Sequence, residues 1–234
     1  GVQTCALPIS RPSGPVVWMH AASVGEGLSL LPLIVAIRER WPKVTPLVTT
    51  GTATSAALMA QRLTPPCVHQ FAPVDLPSAV MRFLDHWRPD LALWVESELW
   101  PNTLRALRQR DVPTILVNAR MSQRSFDRWR RVRPLAAGVL ANFRSILAQS
   151  DEDAARLRAL GAATVETPGN LKAAALPLPD VPAAHQELAT AWGSRPRWLA
   201  ASTHEGEEEV VARVHAVLRR ALPDLLTIVV PRHP

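Results

Sequence analysis

Runs of β-branched and apolar residues alternate with stretches of helical period along most of the chain. Val16 to His20 reads as a strand, and Gly25 to Arg40 as the helix that follows it. Val44 to Thr50 reads as a strand, followed by a helix from Ala53 to about Leu63. Val68 to Ala72, Leu91 to Val95, Thr114 to Asn118 and Ser145 to Ala148 are further strands. Helical patterns at Ser78 to His86, Leu99 to Arg110 and Asp151 to Leu160 lie between them. Such a βαβα rhythm predicts a mostly parallel sheet covered on both faces. Right-handed crossovers then bring the strand C-termini to one edge, where open α/β sheets bind ligands.

Ala173 to Pro182 (AAALPLPDVP) is rich in proline and has no period, so it reads as a linker. The rhythm then restarts with a strand at Trp198 to Ala201, a helix at Glu205 to Arg220 and a strand at Leu225 to Val230. The expected division is an unstructured start at 1–15, an α/β domain at 16–172, a linker at 173–196 and the opening of a second domain at 197–234. GVQTCALPI, at Gly1 to Ile9, resembles the translation of a sequencing-adapter oligonucleotide and is read as an assembly artefact. With no initial Met and a strand closing on PRHP at the other end, the chain is expected to be a gene fragment.

Composition narrows the partners more than the fold. The 234 residues are 47% hydrophobic and 20% charged, enough for a sizeable core. No run reaches the roughly 18 apolar residues of a membrane-spanning helix. A net charge of +6 favours anionic partners: nucleic acid, phosphorylated substrates or a membrane surface. Cys5 and Cys67 are too few and too far apart for a disulfide framework or a metal centre, which makes a reducing cytoplasm the default.

Polar residues that could carry chemistry cluster where strands end. His20-Ala-Ala-Ser23-Val-Gly25-Glu26-Gly27 joins the first strand to the first helix. Glu26 is either a helix-start carboxylate favoured by the dipole or a general base at the cleft edge. Glu96-Ser97-Glu98-Leu99-Trp100-Pro101-Asn102 follows the strand LALWV. A helix start with Pro101 in its first turn explains Glu98 but not Glu96, which is expected to face the cleft. Asn118-Ala119-Arg120-Met121-Ser122 follows another strand and leads into Arg124, Arg128, Arg130, Arg131 and Arg133. That run is either a solvated helix face or a contact for phosphate or anionic lipid. Lys172 of Gly169-Asn170-Leu171-Lys172 stands at the hinge, either as a solvated lysine or as a group that reaches a ligand held between two domains. Ser202 and Glu205 fit a capping box, and position 208 is Glu, so no HExxH zinc helix is present. Pro231-Arg232-His233-Pro234 follows the last strand, where an arginine can grip a phosphate with two donors.

In this order, HAASVGEG, VTTGTATS, FAPVDLPSAVMRF, VESELWPN, NARMSQRS, AQSDEDAARLRALGA, GNLK, ASTHEGEEE and VPRHP closely resemble the 3-deoxy-D-manno-octulosonic acid (Kdo) transferases. The resemblance runs from about Val16 to the last residue, with Ser97 where the family often has threonine. It implies a GT-B fold of two Rossmann-like domains and an inverting transfer, with no metal or cofactor, of Kdo from CMP-Kdo to a lipid A precursor. It also implies attachment at the cytoplasmic face of the bacterial inner membrane. By motif, Glu26 resembles the general base, and Glu96 and Lys172 resemble transition-state stabilisers. Pro231 and Arg232 match the start of the CMP-binding set, and Ser23, Arg120, Ser202 and His233 are further candidates. Lacking the family's membrane anchor and most of the second domain, the chain is expected to be inactive by itself. Two other readings are a different GT-B enzyme, such as a nucleotide-sugar epimerase, and a non-catalytic module for anionic lipid. A nucleic-acid partner is not expected, because the Trp residues are not interleaved with the basic run.

Overall fold

In the computed structural model, residues 9–96, 99–174 and 181–232 are described. The chain divides into two units, one of residues 1–176 and one of residues 177–234.

The first unit carries seven parallel strands: β1 (Val16–Ala21), β2 (Thr45–Thr50), β3 (Val68–Phe71), β4 (Leu91–Val95), β5 (Thr114–Ala119), β6 (Ser145–Ala148) and β7 (Val165–Glu166). Their order across the sheet is β3-β2-β1-β4-β5-β6-β7. The order therefore reverses between β1 and β4, which pair from Val17↔Leu91 to His20↔Trp94. Helices α1 (Val24–Arg40), α2 (Ala53–Arg62), α3 (Pro77–Trp87), α4 (Pro101–Gln109), α5 (Gln123–Arg130), α6 (Arg133–Leu140) and α7 (Asp151–Ala159) connect the strands.

Both faces of the sheet are buried because successive side chains leave a strand on opposite sides. Val16 and Trp18 of β1, with Ala92 and Trp94 of β4, belong to one core with Phe83, Leu84, Trp87, Leu104 and Leu107 of α3 and α4. Val17 and Met19, with Leu93 and Val95, belong to another with Leu30, Ile34 and Ile37 of α1 and Met59 of α2. Pro32 lies inside α1 without ending it.

The second unit has a two-stranded parallel sheet of β8 (Arg197–Thr203) and β9 (Leu226–Pro231), joined through α9 (Glu207–Leu218). A helix α8 (Pro182–Trp192) precedes it. That helix lies within the stretch read as linker and starts on a proline, as helices do when the missing N–H falls at the first position. The strand β7 and the helix α6 also went unread. α6 is one short apolar stretch that follows α5 almost without a break.

Two expectations are corrected. Ser202 and Glu205 do not form a capping box. β8 continues to Thr203, so the helix begins later, with Gly206 as N-cap at φ 88°. The His204 amide donates to Glu207 at 2.8 Å and Thr203 Oγ1 donates to Glu208 at 2.5 Å. The start is not loose throughout either. Residues 1–8 are outside the described set, but Ile9 packs on the core and its carbonyl accepts from His86 Nε2 at 2.8 Å. Arg11 Nε donates to the Trp87 carbonyl at 2.8 Å.

His20, on β1, is fully buried. Its ring packs against Trp94 and Trp100 with centroids 4.7 and 4.4 Å away. Nδ1 lies 3.0 Å from Thr49 Oγ1, and Nε2 has no partner among the described residues. Burial lowers its pKa from 6.5 to about 4, and the contact with Thr49 opposes this only in part. The unfolded chain takes up a proton near pH 6.5 while the folded chain resists until about 4, so protonation favours unfolding across that window.

Two stability predictions follow from this packing. Gly161, after α7, has φ 106°, and a Cβ there would stand 2.7 Å from Ala137 Cβ. Gly161→Ala is expected to cost about 2 kcal/mol or more in denaturant unfolding, and an unchanged midpoint would contradict this packing. His20 should cost the fold about 3 kcal/mol as the pH falls from 6.5 to 4. His20→Phe should flatten that part of the profile, and identical profiles for both proteins would refute the assignment.

Candidate active site

Where the strand order reverses, the helices following β1 and β4 go to opposite faces of the sheet, leaving a crevice at the strand C-termini. Both acidic motifs open there. After β1, Ser23 takes extended backbone and caps α1 through its Oγ, which accepts from the Glu26 amide at 3.3 Å. The Glu26 carboxylate turns back, accepting from the Ala22 amide at 2.8 Å and from Ser23 Oγ at 3.0 Å. This is a capping box shifted by one amide. It holds a buried carboxylate in the first helical turn, where the dipole favours the charged form. These hydrogen bonds give Glu26 the helix-start role.

Glu96 lies one residue past β4. Its amide donates to the Val117 carbonyl at 3.0 Å, and its φ is 59°. A left-handed backbone is uncommon for glutamate, and it takes the side chain out of the strand's alternation. Glu96 Oε1 accepts from Lys172 Nζ at 2.6 Å. Lys172 belongs to a 3-10 turn, Leu171–Ala174, that rests on α1. A Cβ on Gly25 would stand 4.0 Å from Lys172 Nζ, so the ammonium sits directly over the turn that carries Glu26. The three residues predicted from separate motifs therefore meet at the crevice.

Two further carboxylates, not singled out from the sequence, set the surrounding loops. Asp75 accepts from the Thr103 amide at 2.8 Å, from Thr103 Oγ1 at 2.6 Å and from the Asn102 amide at 3.2 Å. It caps α4, whose own N-cap, Trp100, makes no side-chain cap bond. Asp153 accepts from the Met121 amide at 2.7 Å, and Arg156 donates to the Met121 carbonyl at 2.9 Å, fixing the loop after β5. A short carboxylate two residues before Pro77, or just inside a helix start, was the available signal, but its partner lies 28 or 32 residues away.

The other candidates are dispersed. Arg120 is exposed beside buried Asn118 and Met121. Ser202, Pro231 and Arg232 lie in the second unit, Ser202 at φ 62° in β8. The Arg232 amide donates to the Thr203 carbonyl at 3.0 Å, and its side chain is exposed. Ser97, Glu98 and His233 are outside the described residues. Arg124, Arg128, Arg130, Arg131 and Arg133 are exposed along α5 and the start of α6, although Arg133 also caps α7 by donating to the Ala159 carbonyl at 2.9 Å. Among the described residues, no group of His, Cys, Asp or Glu is placed to hold a metal ion, and no helix is long and apolar enough to cross a membrane.

Solved structures resemble this chain in fold. A UDP-GlcNAc 2-epimerase from Neisseria meningitidis bound to UDP-GlcNAc matches with a TM-score of 0.64 at 10% identity, over 92% of this chain and 65% of that one. Anabaena HepE in complex with UDP-glucose matches with a TM-score of 0.55 at 12% identity, over 93% of this chain and 69% of that one. Together with the strand order, this likeness makes the first unit the Rossmann-like N-terminal domain of a GT-B fold. In sequence, the 3-deoxy-D-manno-octulosonic acid transferase of Rickettsia felis is 36% identical over 232 residues, which is 99% of this chain and 50% of the relative. The Haemophilus influenzae transferase is 32% identical over 228 residues, 96% of this chain and 53% of the relative. The chain thus spans about half the length of the curated relatives it matches. The family model for 3-deoxy-D-manno-octulosonic-acid transferase (kdotransferase) matches residues 3–175, beginning inside the segment read as an artefact. The chain belongs to the Kdo transferase family.

Proposed function

We propose that the protein to which this chain belongs transfers Kdo from CMP-Kdo to a hydroxyl of a lipid A precursor, with inversion and without a metal, in the lipopolysaccharide synthesis of Gram-negative bacteria. The observation that carries this reading is the seating of the Lys172–Glu96 pair over Gly25, beside Glu26. A sugar hydroxyl attacking the anomeric carbon must give up its proton, and Glu26 is the base in this reading. A carboxylate offers about four acceptor positions, so protein donors can orient Glu26 and still let it take a proton. The C–O bond to the cytidylate breaks as the new glycosidic bond forms, and the leaving phosphate carries the charge away. Lys172, drawn between Glu96 and the reacting group, offsets negative charge on the sugar carboxylate or that phosphate. Arg232 is assigned to the phosphate of CMP, with Pro231 beside it.

The same reading puts the protein at the cytoplasmic face of the inner membrane, on the anionic lipid that surrounds its acceptor. The exposed arginines of α5 and α6 support it, as do Val132 and Leu135, exposed at 46% and 58% beside them.

Transfer is tested in a fusion of this chain to the C-terminal half of the Haemophilus influenzae relative. The fusion should transfer Kdo from CMP-Kdo, and Glu26→Gln should lose about a hundredfold or more in kcat. Equal rates would remove Glu26 as base. A preference for UDP-sugars over CMP-Kdo would favour another GT-B enzyme, and a folded fusion that binds lipid without transfer would leave a binding module. For the membrane, the chain should cosediment with phosphatidylglycerol vesicles at low salt and much less with phosphatidylcholine. Reversing Arg124, Arg128 and Arg131 to Glu should abolish the difference, and equal binding to both lipids would reject this surface.

A further inference from the structure

We propose that Asn118 is a positioning residue, the bracket that holds Lys172 against Glu96; this rests on the role given to Lys172 above. Asn118 is buried within β5, one residue before its end, in a left-handed conformation with φ 53°. Asparagine adopts that conformation more readily than most residues. Its Oδ1 accepts from the Leu171 amide at 2.9 Å, across 53 residues of sequence. Leu171 opens the 3-10 turn, and Lys172 is its second residue. The Lys172 amide is held in turn by Asn170 Oδ1 at 2.9 Å. On its other side, the Asn118 carbonyl accepts from Gln149 Nε2 at 3.0 Å. The turn is therefore hung from the end of β5 through one side-chain oxygen.

A lysine side chain loses about 2 kcal/mol of rotamer freedom when fixed, and a partly exposed ion pair stabilises little by itself. Lys172 is 47% exposed, so its pairing with Glu96 depends on where the backbone of the turn is put. The Glu96 amide donates to the Val117 carbonyl, one residue before Asn118. The bracket and the carboxylate thus stand at the ends of adjacent strands.

The choice of asparagine is informative. Accepting from Leu171 fixes the orientation of the amide, and the Nδ2 group left over is buried with no partner among the described residues. That costs about 1–3 kcal/mol. An aspartate would accept the same bond without leaving a donor unpaired, but it would put a second carboxylate next to Glu96, competing for Lys172. A neutral acceptor leaves the lysine to one carboxylate.

The test is residue-resolved hydrogen exchange on the full 234-residue chain. The amides of Glu96 and Gln149, which donate to the Val117 and Ala119 carbonyls, serve as internal references. Asn118→Gly keeps the left-handed backbone and removes the bracket. Leu171 should then exchange about tenfold faster or more while the references hold. Asn118→Asp should preserve Leu171 protection. Unchanged protection in Asn118→Gly would overturn the proposal, as would equal acceleration of the references, which would mean that Asn118 supports the sheet and not the turn. In the fusion, Asn118→Gly should lower kcat about tenfold with little change in KM for CMP-Kdo, whereas a change confined to KM would also count against it. A wild-type fusion that transfers nothing would reject the reaction proposed above and leave the exchange result to decide the bracket.

Discussion

The reversal of strand order between β1 and β4 is the constraint on which the rest of the first unit depends. Parallel strands need crossover helices, and right-handed crossovers put successive helices on a face set by the direction in which the sheet grows. From β1 the sheet grows one way through β2 and β3, and from β4 the other way through β5, β6 and β7. α1 and α2 therefore pack on one face, while α3, α4, α6 and α7 pack on the other. The ends of β1 and β4 are left with no helix crossing between them. Glu26 and Glu96 are the first carboxylates after those two strands. Their meeting is a product of topology before it is one of chemistry.

A crevice of this kind is made of loop backbone, and loop backbone carries unpaired amides at every helix start. The carboxylates of the motifs answer that need. Glu26 takes the amide of Ala22, Asp75 those of Asn102 and Thr103, and Asp153 that of Met121. Glu96 differs from these three: among the described residues, its carboxylate accepts from an ammonium, Lys172 Nζ, and not from a backbone amide. Acidic residues in such motifs are therefore poor indicators of catalysis until their partners are known. The distinction lies in what each one holds.

How much was readable follows from the range of each interaction. β1, β2, β4, β5 and β6 are rich in apolar and β-branched residues, and their positions were legible to within a residue or two because burial on both faces keeps charged residues out of them. Glu26 was legible as a helix-start carboxylate because its cap is local, Ser23 to Glu26. Asp75 and Asn118 were not assigned roles, because their partners are 28 and 53 residues distant and neither end signals the other. The Ser202–Glu205 box was misread for the opposite reason. A local pattern was present, but pairing with β9 carried β8 through Thr203 and displaced the helix start. α8 was hidden by its flanking prolines, which mark a helix start as readily as a linker.

The residues that deviate from ordinary backbone geometry point the same way as the topology. Among the described residues of the first unit, Arg88, Glu96, Asp111 and Asn118 are the non-glycine residues with positive φ. Arg88 ends α3 and Asp111 lies just past the end of α4, where a left-handed residue satisfies the last carbonyls. No helix end accounts for Glu96 or Asn118, which stand at the C-terminal ends of neighbouring strands. A left-handed non-glycine residue costs about 1–2 kcal/mol, and such residues persist where surrounding contacts hold them. Here the contacts are Lys172 on Glu96 and Leu171 on Asn118, two consecutive residues of one short turn. The two strained residues and the turn thus form one assembly. The 3-10 turn is therefore part of the site's frame as well as the carrier of its lysine.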